Sequence, residues 1–160
     1  MRTPTAISLF SGCGGMDLGF VQAGFDVLWA NDINGFACKT YAHNIGDHIV
    51  HGDITEIDYQ SIPTADIIIG GFPCQDFSML WKRGGVSTDR GNLYKNFVDL
   101  VAQKNPKVFV AENVKGILTA NKKQAIKQII EDFSDTGEIG YNTKAILVNF
   151  ANYGVSQLRE

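Results

Sequence analysis

The cysteine at position 74 stands in a context that favours a reactive thiol. Pro73 fixes the backbone just before it, and the apolar run 67–69 followed by two glycines predicts a buried strand that ends there. A lone cysteine more often packs as a small hydrophobic residue, which is what we expect of Cys13 and Cys38. The placement of Cys74 at a strand end instead indicates a nucleophile, whose active form is the thiolate.

Two charged residues follow later apolar segments. Glu112 comes directly after the segment 107–111, and a carboxylate at the end of a buried strand is costly unless it is paired or used. A structural hydrogen bond to backbone amides and a catalytic role both account for it. Arg159, near the last residue, is by itself compatible with an ordinary surface charge.

A glycine-rich loop over 11–15 follows the first apolar segment, and glycines let a backbone turn tightly and approach a ligand closely. The dinucleotide fingerprint Gly-x-Gly-x-x-Gly is broken by Asp17, which disfavours a nicotinamide-dependent oxidoreductase. Asp32, about 20 residues further on, suits a ribose diol, and Asp53 suits an adenine amino group. Each of these aspartates could instead cap a helix, but together with the loop they favour a nucleoside cofactor.

The elements that position these residues alternate between strands and helices, which predicts a doubly wound, mostly parallel α/β sheet with helices on both faces. Ligands of such sheets bind beyond the carboxyl ends of the strands, which is where the glycine loop, Asp32, Asp53, Cys74, Glu112 and Arg159 fall. The segment 76–91 has no regular pattern and suits either a lid or a solvated loop. The predicted strands are 5–10, 26–30, 48–50, 66–69, 107–111 and 144–150, and the predicted helices are 15–21, 35–43, 92–104 and 124–133.

Composition fits one ordinary globular domain. The chain has 160 residues, of which 44% are hydrophobic and 19% charged. Its apolar runs are too short for a membrane span, and its N-terminus does not resemble a signal peptide. Three cysteines without a Cys-x-x-Cys pair predict neither a zinc site nor disulfides, so a reducing cytoplasm is expected. The net charge of −3 gives no support for nucleic acid.

Four motifs, in order and spacing, resemble those of the cytosine-C5 DNA methyltransferases, and the likeness runs from about Ile7 to the last residue. The resemblance implies a sheet of the S-adenosylmethionine-dependent methyltransferase type, incomplete at the C-terminus, and S-adenosylmethionine as methyl donor. The motifs are Phe10-Ser11-Gly12-Cys13-Gly14-Gly15, Gly71-Phe72-Pro73-Cys74-Gln75, Glu112-Asn113-Val114 and Gln157-Leu158-Arg159.

The resemblance also implies a cofactor site. The glycine loop would hold the amino-acid and adenosine portions, Asp32 the ribose hydroxyls and Asp53 the adenine edge, with Ile33 against the adenine. The family usually has glutamate where Asp32 stands, so this carboxylate has a shorter reach. The complete implied set is Phe10, Gly12, Gly14, Gly15, Asp32, Ile33, Asp53, Ile54 and Leu93.

The same resemblance implies catalytic roles. Cys74 would add to C6 of a cytosine flipped out of double-stranded DNA, Glu112 would hold the N3 and N4 edge, and Arg159 would orient the base and the nucleophile. The segment 76–91 would close over the flipped base.

The family's next motif normally reads Gln-x-Arg-x-Arg, whereas this chain supplies Gln157 and Arg159 and stops at Glu160. The target-recognition region and the family's final motif are absent, so we expect a truncated product or one subunit of a split enzyme, inactive on its own. Two alternatives stay open: a tRNA cytosine methyltransferase, and a non-catalytic cofactor-binding subunit. The second is disfavoured because a binding module needs neither Cys74 nor Glu112.

Overall fold

The computed structural model describes residues 2–73, 93–138 and 140–158. Within these residues lie five strands and four α-helices, and none of these helices is long and apolar enough to cross a membrane. The strands are β1 (Thr5–Leu9), β2 (Asp26–Asp32), β3 (Ile49–His51), β4 (Ile67–Gly70) and β5 (Val108–Ala111). The helices are α1 (Gly15–Gln22), α2 (Gly35–Asn44), α3 (Leu93–Lys104) and α4 (Gln124–Ser134).

The strands form one parallel sheet in the order β3-β2-β1-β4-β5. From β1 the chain moves outward through β2 to β3, crosses back to β4, and then moves outward on the other side. The order therefore reverses between β1 and β4, which is where ligands of such sheets bind. In register, Leu9 at the end of β1 lies opposite Asn31 on one side and Gly70 on the other.

The two faces of the sheet are covered by different helices, because successive side chains of a strand point to opposite faces. Ile7 and Leu9 belong to the larger core, which α3 and α4 complete with Phe97, Leu100 and Phe133. Ala6 and the neighbouring strands' Val27, Ile67 and Ile69 form a smaller cluster, against which Met16 and Phe20 of α1 pack. The expectation of a doubly wound sheet is confirmed.

The isoleucines of β4 are buried on both faces, as the sequence predicts. Gly70 at its end is required by packing, since a Cβ there would lie 3.0 Å from the Phe97 ring and would also press on the Leu9 carbonyl oxygen. The predicted ends of the first five strands and of the helices lie within two residues of those observed.

Three expectations from the sequence are wrong. The segment 107–111 was expected to be a buried strand, but Val108 and Val110 of β5 are 52% and 39% exposed on the α1 side of the sheet. The predicted strand 144–150 does not form: residues 144–149 have no regular structure and a 3-10 turn follows at Phe150–Tyr153. Cys13 is exposed, whereas Cys38 is buried as expected.

Candidate active site

The polar and glycine-rich segments named from the sequence gather at the carboxyl end of the sheet. The loop 11–14 follows β1, Asp32 ends β2, Asp53 comes after β3, and Glu112 follows β5. Because β1 and β4 are neighbours, the glycine loop and the segment that leads into Cys74 leave the sheet side by side. Cys74, the segment 76–91 and Arg159 lie outside the described residues.

The glycine loop has a backbone that ordinary residues avoid. Phe10, Gly12 and Gly14 have φ of 54°, 56° and 87°, in the left-handed region that glycine adopts without strain. A Cβ on Gly14 would also lie 2.8 Å from the Tyr41 ring and press on Ile45. Two backbone hydrogen bonds of 2.9 Å hold the loop, one from Gly14 to the Ser11 carbonyl and one from Ser11 to the Asn31 carbonyl. The loop is therefore built on β1 and β2 together.

Asp32 connects this loop to the end of β2. Its carboxylate accepts hydrogen bonds of 2.8 Å from the backbone amides of Gly12 and Asn34, one at each oxygen. The helix cap is a different residue, because the side chain of Asn34 accepts from the first amides of α2. Each oxygen of a carboxylate has a second lone pair, so Asp32 can hold the loop and still accept from a ligand hydroxyl.

Asp53 caps a short helix, the alternative that the sequence left open. Its Oδ1 accepts from the Thr55 amide at 3.0 Å and from the Thr55 hydroxyl at 2.8 Å, at the start of the 3-10 turn Ile54–Glu56. Ile33 at the same rim is 66% exposed. Ile54 is 3% exposed and packs in the larger core, so its side chain is not open to a ligand. Leu93 begins α3, half-buried against that core.

Glu112 lies beside the segment that leads into Cys74. Its amide donates to the Gly70 carbonyl at 2.9 Å, and its side chain reaches over the next residue, since a Cβ on Gly71 would be 3.0 Å from Glu112 Oε2. Glu112 is exposed, so the cost of burying a carboxylate, on which the sequence argument relied, does not apply to this residue. Asn113 fixes the same segment by donating from Nδ2 to the Phe72 carbonyl at 2.8 Å.

Two asparagines to which the sequence analysis assigned no role of their own hold the rim together. Asn31 is buried, and its Nδ2 donates to the carbonyls of Val50 and Gly52 at 3.0 and 2.9 Å, which joins the ends of β2 and β3. Asn113 plays the corresponding part between β5 and β4. Each stands next to a carboxylate singled out from the sequence, and this adjacency is the signal that could have revealed it.

An all-parallel doubly wound sheet with a glycine loop after β1 and a carboxylate ending β2 defines a nucleoside-binding α/β protein. Comparison with known families narrows this class. The model of the C-5 cytosine-specific DNA methylases matches residues 5–160. The chain belongs to this family, and the resemblance inferred from its motifs is confirmed.

Curated relatives and solved structures agree with this assignment. The chain is 59% identical over 159 residues to the type II methyltransferase M.NgoFVII of Neisseria gonorrhoeae, covering 98% of this chain and 42% of the relative. It is 42% identical to the DNA (cytosine-5-)-methyltransferase M.ApeKI of Aeropyrum pernix, covering 84% and 34%. A candidate DNA modification methyltransferase from an E. coli prophage shares the fold, with a TM-score of 0.66, 33% identity, and coverage of 82% and 38%. The chain thus spans less than half the length of these proteins.

Proposed function

We propose that this chain is the cofactor-binding and catalytic part of an enzyme that methylates cytosine at C5 in DNA. The observation that carries the proposal is the position of Glu112, whose carboxylate lies over Gly71 in the segment that leads into Cys74. In a member of this family, that position suits a carboxylate and a thiol that act on one base. The relatives named as methyltransferases support the same activity.

S-adenosylmethionine is the cofactor that suits the rim. At Gly12 in the loop and at Gly15, the first residue of α1, an added Cβ would meet nothing within 4 Å, so a ligand can approach the backbone there. Asp32 would take the ribose hydroxyls, Asp53 and Ile54 the adenine edge, and Ile33, Phe10 and Leu93 would supply apolar contacts. When bound, S-adenosylmethionine supplies the methyl group.

The residues of the chain carry the remaining chemistry. The Cys74 thiolate adds to C6 of the cytosine, which makes the ring enamine-like and C5 nucleophilic. Glu112 holds the N3 and N4 edge and stabilises the charge that develops there, while Arg159 orients the base. After methylation, solvent takes the C5 proton, the electrons of that C–H bond re-form the C5–C6 double bond, and the C6–S bond breaks so that Cys74 leaves as a thiolate.

Double-stranded DNA is the proposed substrate, with the target cytosine flipped out of the stack because a stacked base cannot be reached. The description of the family and the name of M.ApeKI favour DNA over tRNA. We propose that target recognition belongs to sequence that corresponds to the part of the relatives that this chain does not match. A DNA substrate and a thiolate nucleophile both suit a reducing cytoplasm.

Calorimetric titration with S-adenosylmethionine and with NAD tests the cofactor. We expect binding of S-adenosylmethionine alone, because Asp17 stands where the dinucleotide fingerprint requires glycine. Binding of NAD alone would show that the proposed function is wrong. Offering DNA and tRNA in a methyl-transfer assay with the full-length protein then separates the two substrates.

A further inference from the structure

Asp17, in the first turn of α1, carries a carboxylate that is 0% exposed. A buried carboxylate is costly unless it is hydrogen-bonded. Here one oxygen accepts from the Ser8 hydroxyl and the other from the Tyr41 hydroxyl, both at 2.8 Å. Burial raises the pKa of Asp17, and the two hydrogen bonds oppose that rise by stabilising the carboxylate form.

A second layer of donors lies behind these hydroxyls. The Tyr41 oxygen is 2.9 Å from His48 Nε2, and the Ser8 oxygen is 2.9 Å from the Ser11 hydroxyl. A hydroxyl has one proton to donate. Because Tyr41 and Ser8 donate theirs to Asp17, a hydrogen bond between His48 and Tyr41 requires the proton on His48 Nε2, and Ser11 donates to Ser8. Two series of hydrogen bonds therefore converge on Asp17, and hydrogen bonds aligned in this way strengthen one another.

Both series of hydrogen bonds support the glycine loop. Ser11, at the outer end of one series, is the first residue of the loop 11–14, and its hydroxyl also accepts from the Asn31 amide at 3.3 Å. Tyr41, in the other series, packs its ring against the far end of the loop, 2.8 Å from where a Cβ on Gly14 would lie. One buried carboxylate is thus connected to both ends of the loop.

We propose that Asp17, with Tyr41 and His48, is a positioning unit that holds the glycine loop in the conformation that receives the cofactor. The cofactor part of this inference rests on the proposed function. Asp17 lies behind the loop, on the α1 side of the sheet where it meets Ser8, and acts through Ser11 and Tyr41. The expected consequence of breaking the unit is a looser loop with weaker cofactor binding, without a loss of the chemical step.

Tyr41→Phe in the full-length protein is the sharpest test, because it keeps the ring against Gly14 and removes only the hydroxyl. Tyr94→Phe is the matched control: this buried tyrosine also donates to a carboxylate, Asp132 Oδ2 at 2.7 Å, but in the core formed by α3 and α4. The measurements are the dissociation constant of S-adenosylmethionine by calorimetry, hydrogen exchange of the peptide spanning 10–18, and kcat at saturating cofactor.

We expect Tyr41→Phe to weaken S-adenosylmethionine binding by about 10-fold and to speed exchange of the loop amides by a similar factor, as loss of a hydrogen bond to a charged group allows. The kcat should stay within about twofold, because the reacting groups are elsewhere. Tyr94→Phe should change neither binding nor loop exchange. His48→Ala, which removes an outer donor, should give a smaller change in the same direction and replaces Tyr41→Phe if that variant does not fold.

Equal losses of melting temperature in Tyr41→Phe and Tyr94→Phe, with cofactor affinity and loop exchange unchanged in both, would reduce Asp17 to a structural residue and overturn the proposal. Failure of the unaltered protein to bind S-adenosylmethionine would instead contradict the proposed function. In that case the exchange of loop amides alone still decides whether Asp17 positions the loop.

Discussion

At the scale of single residues, the position of Glu112 sets the proposed chemistry. Its side chain is exposed at the sheet rim rather than buried, and its backbone is fixed by the hydrogen bond to Gly70. Asn113 fixes the facing segment through the Phe72 carbonyl. The backbone that carries this carboxylate is therefore fixed, and in the proposed reaction a charge positioned in advance would stabilise a developing charge with little reorganisation.

Glu112→Gln should slow methyl transfer far more than it weakens cofactor binding. Loss of one preorganised electrostatic contact commonly lowers the rate by about 10²-fold or more. The single-turnover rate and the dissociation constant of S-adenosylmethionine measure the two effects separately. Glu131→Gln, at an exposed position in α4, is the control and should leave both unchanged. An unaltered single-turnover rate in Glu112→Gln would assign Glu112 a structural role.

Residue types alone predicted part of this site. Cys38 and Cys13 have the same side chain, yet one is buried and the other exposed, because strand and helix packing decides burial and residue type does not. The cap at Asp53 was foreseen as an alternative, since aspartate is a common cap. The hydrogen bonds of Asp17 were not foreseen, because its partners Ser8 and Tyr41 are 9 and 24 residues away along the chain.

At the scale of elements, Asp66 clamps the opposite end of the sheet. Its carboxylate accepts from Lys107 at 2.9 Å and Arg2 at 2.6 Å, and from the amide and hydroxyl of Thr5 at 3.0 and 3.1 Å. These contacts join the beginnings of β1, β4 and β5. The hydrogen bonds from Lys107 and Thr5 lower the pKa of Asp66 from an ordinary 3.8 to about 2.

Stability should therefore depend on Asp66 in acid. A carboxyl whose pKa is lower in the folded state stabilises the fold above its unfolded pKa, and that contribution is lost as the pH falls. For Asp66 the loss runs from pH 3.8 down to about 2. Urea unfolding across this range should show a shallower pH dependence for Asp66→Asn than for the unaltered protein. Asp135→Asn, at an exposed site after α4, should keep the original slope; identical slopes in all three proteins would contradict the clamp.

Helices and inner strands were predictable because their patterns follow from local periodicity. The segment 144–150 was not, although its residues favour strands, because a strand forms only where another strand pairs with its backbone. Ile146, Leu147 and Val148 are exposed. The prediction that β5 is buried was wrong for a related reason. β5 is at the edge of the sheet, and none of the described helices covers Val108 and Val110 on the α1 side.

At the scale of the whole molecule, strand order determines where the site forms. Reversal of the order between β1 and β4 places the glycine loop next to the segment that leads into Cys74. β2 and β5 then bring Asp32 and Glu112 to either side of this pair. The alternation of strands and helices in the sequence predicted the sheet and the edge where the site lies. Only the structure gives the strand order, which determines which of the site's segments lie next to each other.

The most direct test of the proposed reaction is covalent trapping. The full-length protein is incubated with S-adenosylmethionine and DNA that carries 5-fluorocytosine at its target, where fluorine cannot leave as a proton does. We predict a stable protein–DNA adduct that peptide mapping places on Cys74, and no adduct with Cys74→Ser. Cys13→Ser is the matched control and should still form the adduct, since Cys13 is exposed in the glycine loop but has no proposed role as nucleophile. An adduct that persists in Cys74→Ser would show that the nucleophile lies elsewhere.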